Sequence, residues 1–155
     1  MATQWTAGTT SGQVLTAATL NTIGAASETY TPAWTSTGTA PAIGNGTLTG
    51  KYFRINKLVV AFIQWSAGST TTFGTGNYRL SLPITAVGTT GYVGTGQYTD
   101  ASTFNAYVLM SGFITTSTVQ FSWNVGGING VWGQANPVAM ASSDSVSVTL
   151  IYEAA

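Results

Sequence analysis

From Tyr30 onward the chain is written in short runs of β-branched and aromatic residues broken by Gly, Asn, Ser and Pro. Runs of this length, bounded by turn-forming residues, predict strands joined by tight connections. Eight strands are expected, over Tyr30–Thr35, Thr47–Ile55, Leu58–Ser66, Asn77–Leu82, Gly91–Tyr98, Ala106–Ile114, Thr118–Asn124 and Ser145–Tyr152. The clearest pair is KYFRI and KLVVAFIQW, which meet at Ile55-Asn56-Lys57, where Asn tolerates the left-handed backbone of a tight turn. The last strand alternates: Val146, Val148, Leu150 and Tyr152 fall on one face, and Ser145, Ser147, Thr149 and Ile151 on the other. With no helical pattern between strands, the arrangement predicts an all-β fold, an antiparallel β-sandwich of jelly-roll type. The Gly-rich stretches Val87–Gly96 and Val125–Gly133 lack a fixed short period and read as loops or bulged strands.

Residues 1–27 have a different pattern and read as an arm, followed by a sandwich domain over 28–155. Within VLTAATLNTIGAA, Thr16 can cap a short helix with Ala17, Leu20 and Ile23 at helical spacing, Gly24 as its stop and Leu15 packing back on Leu20. A helix this short is marginal alone in water, so it is expected to form when docked; an irregular arm is the open alternative. The apolar residues that would make the attachment are Trp5, Leu15, Leu20 and Ile23.

Composition sharpens the picture. Of the 155 residues 44% are hydrophobic and 12% aromatic, a mixture that folds, whereas only 5% are charged against about 25% in ordinary globular proteins. Lys51, Arg54, Lys57 and Arg79 balance Glu28, Asp100, Asp144 and Glu153, so the net charge is zero. Such a chain lacks the self-repulsion that keeps free proteins apart, and it is expected to associate. Met1 to Gly12 shows no basic start followed by an apolar run, so no signal peptide is expected. The longest apolar stretch, Leu58–Ile63, is far short of the about 20 residues of a spanning helix, and no membrane partner is expected.

Candidate chemistry is sparse. With no His and no Cys, the commonest general base, the thiol nucleophile and the usual transition-metal ligands are missing, and neither a catalytic residue nor a cofactor is expected. A Ser-Lys dyad, or Asp100 with Asp144 or Glu153, is formally possible; the simpler reading takes these carboxylates as solvated acids at loops and strand ends. No loop spaces its acids as a calcium site does. GNGTLTG, Gly44 to Gly50, lacks the Gly-Lys-Ser/Thr ending of a phosphate loop, and its Asn45-Gly46 reads as a turn leading into a strand. Lys51, Arg54, Lys57 and Arg79 are too few, at zero net charge, to argue for nucleic acid, and edge charges on a hairpin suffice to explain them. Trp5, Trp34, Trp65, Trp123 and Trp132 serve a core or an interface; Trp132, in its Gly-rich loop, is the one most expected to be exposed and the candidate contact to a sugar, and Asn129 in the same stretch is a further candidate loop contact.

The opening WTAGTTSGQVLTAATLN, through Trp5, Gly12, Leu15, Thr16, Ala17, Leu20 and Asn21, is similar to the N-terminal pattern of many bacteriophage tail and structural proteins. The body YTPAWTSTGTAPAIGNGTLTGKYFRINKLVVAFIQW, the following GSTTTFGTGNYRLSLP and the closing DSVSVTLIYEAA resemble a β domain of phage tail-fibre, minor tail and capsid-surface proteins, although Asn56 stands where glycine is expected. The resemblance implies a non-catalytic, homotrimeric virion protein made in the bacterial host cytoplasm, with other virion proteins, such as the major capsid or tail proteins, as partners. An arm before a single domain suits a capsid decoration or minor capsid protein. The alternative is a tail-fibre or tail-tip protein touching a host surface glycan through Gly126–Gly133 and Gly91–Asp100.

Overall fold

The computed structural model describes residues 27–90 and 92–155. These are built from ten strands: β1 (Glu28–Tyr30), β2 (Trp34–Ser36), β3 (Thr47–Ile55), β4 (Leu58–Ser66), β5 (Tyr78–Ser81), β6 (Val93–Asp100), β7 (Asn105–Thr115), β8 (Thr118–Val125), β9 (Ile128–Val131) and β10 (Ser145–Glu153). Every strand pairing is antiparallel, and no helix occurs among the described residues. The expected helix at Thr16–Gly24 and the arm residues Trp5, Leu15, Leu20 and Ile23 lie outside the described residues.

The strands form one hydrogen-bonded sheet in the order β1-β3-β4-β10-β6-β7-β8-β5-β2, with β9 attached to β8. Two facts show how far this sheet curls. Only Thr31, Pro32 and Ala33 separate β1 from β2, so the two ends of the path lie within about 14 Å along a fully extended chain. Trp34 on β2 also sets its ring 5.1 Å from that of Trp65 on β4, edge to face. The sheet is therefore a curled half-barrel whose inner face is the core.

Alternation decides which residues line that core. Val59, Ala61, Ile63 and Trp65 of β4 point inward beside Tyr152, Leu150, Val148 and Val146 of β10, each in direct register. Val119, Phe121 and Trp123 of β8, Tyr78 and Leu80 of β5, and Tyr98, Leu109 and Trp132 share the same core. Small residues make room for the curl: Gly94 and Gly96 of β6 sit opposite Leu150 and Val148, and Gly50 of β3 lies under Tyr30, whose ring any Cβ at position 50 would overlap. Each large side chain that leaves water here contributes about 1.5–3 kcal/mol.

The β3–β4 hairpin and β10 occur as expected from the sequence. The hairpin closes through Asn56 and Lys57 with Ile55 opposite Leu58, and Asn56 takes the left-handed backbone, φ 54°. One expectation changes. The run Tyr30–Thr35 is two strands, because Pro32 has no N–H to give to a ladder and the chain crosses there from one end of the sheet to the other. Of the two readings of the Gly-rich segment after β8, loop or strand, the strand is found: it contains β9, turned by Gly126 and Gly127, both at positive φ. Asn45-Gly46 does form the expected turn into β3: the Asn45 carboxamide accepts hydrogen bonds from the Thr70 N–H at 2.9 Å and the Thr70 hydroxyl at 3.0 Å.

Candidate functional site

The carboxylates come first, because they are the residues left for chemistry. Asp144 is fully buried, which corrects its reading as a solvated acid. The Tyr98 hydroxyl donates to it at 2.6 Å, and the N–H groups of Ala101 and Ala141 donate at 3.0 and 2.8 Å. These three donors fix the loop before β10 against the end of β6 and repay the desolvation of the charge. Asp100, also buried, accepts from the N–H and hydroxyl of Ser102 at 2.8 and 2.7 Å and from the Thr103 hydroxyl at 2.8 Å. The Ser102 and Thr103 hydrogen bonds hold the Asp100 carboxyl below its ordinary range. Both acids are spent on loop structure. Glu153 faces Lys57 at 3.7 Å in an exposed pair worth at most about 1 kcal/mol.

The tryptophans are core. Trp132 is fully buried, overturning the expectation that it is an exposed sugar contact. Its ring packs against Tyr78 at 4.9 Å, Phe121 at 6.1 Å and Trp65 at 6.3 Å. Its backbone is pinned on both sides, the Trp132 N–H donating to the Phe121 carbonyl and the Tyr78 N–H to the Trp132 carbonyl. Asn129, by contrast, is exposed on β9. The second proposed contact loop, Gly91–Asp100, is for the most part β6, a strand in the middle of the sheet.

The four basic residues do not gather. Lys51 and Arg54 differ in strand parity and so take opposite faces of β3, and Arg79 lies on β5, near the far end of the strand order. Among the described residues no three His, Cys, Asp or Glu side chains come together to hold a metal ion.

What remains is the outer face of β3, β4, β10, β6 and β7, and it is graded from one end to the other. Nearest the hairpin tip, Ile55 stands opposite Leu58, and in the next row Phe53, Val60 and Ile151 are neighbours. Ile55 is 60% exposed, Leu58 47% and Ile151 50%, and Phe53 packs edge to face on Phe62, with 6.1 Å between centroids. Farther along, the rows become polar: Lys51, Phe62, Thr149, Thr95 and Met110, then Thr49, Gln64, Ser147, Gln97 and Val108. Over these two rows the face is concave and forms an open groove of about 830 Å³. The surface therefore couples an apolar band to a mixed groove with one charged residue, Lys51, in its lining. Sequence reasoning missed it. The signal was Phe53, Ile55, Leu58 and Phe62 on the odd-parity face of β3 and its partner face of β4, where a solvated sheet would carry polar residues.

A second exposed feature lies at the loops. Phe104, between β6 and β7, is 87% exposed with φ 57°, and Ile128, at the β8–β9 turn, is 68% exposed.

Comparison with protein-family models, curated proteins and solved structures gives no match for this chain.

Proposed function

We propose that the chain is a non-enzymatic structural protein of a bacteriophage particle, a homotrimeric capsid decoration or minor capsid protein that is made in the bacterial host cytoplasm and works in the virion by covering apolar surface. The observation that carries this is the exposed band of Phe53, Ile55, Leu58, Phe62 and Ile151 on a chain whose net charge is zero. Contiguous apolar surface of this kind marks an interaction site, and a closed trimer covers the same band on every copy. The partners beyond the sibling copies are other virion proteins, such as the major capsid protein, and residues 1–27 serve as the attachment arm. The two-layer, jelly-roll sandwich belongs to this proposal, and the contact between the Trp34 ring on β2 and the Trp65 ring on β4, 5.1 Å between centroids, supports it. The consumption of Asp100 and Asp144 by loop hydrogen bonds supports the absence of a catalytic role.

A tail-fibre or tail-tip protein touching a host surface glycan or protein is the second reading, favoured by Phe104 and Ile128 on exposed turns. Labelling the protein on purified particles and imaging them by electron microscopy separates the two. Label over the capsid shell supports decoration and label at the tail tip supports the alternative. Particles carrying no label reject both.

A further inference from the structure

Arg79 is a charged side chain that the fold half-buries and leaves without a partner. It lies on β5 between Tyr78 and Leu80, both in the core, so strand alternation turns it to the outer face. Its Nε is shielded from solvent and has no hydrogen-bond partner among the described residues. Arg54 makes the contrast, its Nε donating to the Asn56 carbonyl at 2.6 Å. A charge taken partly out of water with neither a counter-charge nor hydrogen bonds costs stability.

The chain has no carboxylate to spare for it. Its four acids are engaged elsewhere: Glu28 with Tyr52, Asp100 with Ser102 and Thr103, Asp144 with Tyr98, and Glu153 with Lys57. The surroundings suit one small anion. Thr35 of β2 and Gln120 of β8 stand opposite Arg79 on its two sides, and the side chains of both are free of hydrogen bonds among the described residues. Next in the row, Gly112 of β7 faces Gln120 and leaves a step, since a Cβ there would meet nothing nearer than the Gln120 backbone oxygen at 3.9 Å. The row therefore offers a guanidinium flanked by a hydroxyl and a carboxamide, beside an open notch.

We infer that Arg79 is the docking point for a carboxylate of a neighbouring protein, an Asp or Glu side chain seated between Thr35 and Gln120. A planar carboxylate matches the guanidinium fork, and its single charge matches a lone cation. A polyphosphate strand calls for several cations together, whereas Lys51, Arg54 and Lys57 belong to β3 and its turn, near the far end of the strand order. A free acid held by one half-exposed cation binds only on the order of 0.1 M, so the carboxylate has to arrive on a larger contacting surface. This inference goes beyond the virion reading and does not depend on it.

The test reads the arginine side chains of the full-length protein by nuclear magnetic resonance. Isotope-labelled protein gives one Nε–H resonance for each of its arginines, Arg54 and Arg79, assigned by the loss of one in Arg79→Lys. Sodium acetate is titrated against sodium chloride at constant ionic strength and neutral pH. The expected result is a saturable shift of the Arg79 resonance, half-complete on the order of 0.1 M acetate, with Arg54 unmoved. Arg79→Met is expected to keep or raise the urea midpoint in chloride, because it removes an unpaired, half-buried charge. An Arg79 resonance that does not shift, or that shifts only in step with Arg54, overturns the inference, as does a lowered midpoint in Arg79→Met. Half-saturation below about 1 mM acetate would mark a site for a free acid, and inorganic phosphate saturating about tenfold earlier than acetate would mark a phosphate site; either overturns the assignment to a protein carboxylate.

Discussion

At the residue scale, the side chains that looked most available are the ones most deeply used. Trp132 stands among Tyr78, Phe121 and Trp65, so Trp132→Ala leaves a cavity in the aromatic core and is expected to cost about 3–5 kcal/mol, measured by urea unfolding. Asn129→Ala, on the exposed strand β9, is expected to change stability by less than about 0.5 kcal/mol. The difference was not legible locally. Both residues sit in one Gly-rich stretch, and Trp132 is fixed inward by a backbone hydrogen bond from Tyr78 and by ring contacts to Tyr78 and Trp65, which are distant in sequence. Asp144 was misread for the same reason, since its partners Tyr98 and Ala101 lie more than forty positions earlier.

The buried tyrosines give a pH dependence with a definite sign. Burial pushes the Tyr152 phenol from its ordinary 10.0 up to about 12, and burial also drives Tyr30, Tyr78 and Tyr98 well upward, with the Asp144 hydrogen bond adding to the effect at Tyr98. The folded state holds these protons more tightly than the unfolded chain does. The stability they confer is therefore complete below pH 10 and is lost as the pH rises from there through about 12. Urea midpoints measured at pH 8 and pH 11 are expected to fall at the higher value, and Tyr152→Phe is expected to reduce the fall.

At the scale of elements, the parts read most closely from the sequence were those whose pattern is local. The β3–β4 hairpin has its turn residues and both alternating strands in one continuous stretch, and β10 announces its inner face through Val146, Val148, Leu150 and Tyr152. The hairpin turn depends on the left-handed backbone of Asn56. Asn56→Val is accordingly expected to cost about 1–2 kcal/mol, while Asn56→Gly stays close to neutral; thermal or urea unfolding checks both. Order in the sheet was not legible in the same way. β10 inserts between β4 and β6, and β1 and β2 lie at opposite ends of the path although only three residues separate them. Neither fact is written in any window of the sequence, because each is settled by which strands share a core after the sheet has curled.

At the scale of the whole molecule, the inner face of the half-barrel is closed by its own side chains, and the outer face is apolar at one end. Zero net charge removes the long-range repulsion that would otherwise hold copies of that face apart. The sequence made association an expectation through its scarcity of charge, but it did not say where, since the outward residues of β3 and β4 become one band only when the strands are set in register. Analytical ultracentrifugation of the full-length protein beside a Phe53→Lys, Leu58→Lys variant tests this account most directly. A discrete three-chain species that dissociates to single chains in the variant is the predicted result; a parent protein that sediments as single chains at every concentration contradicts it.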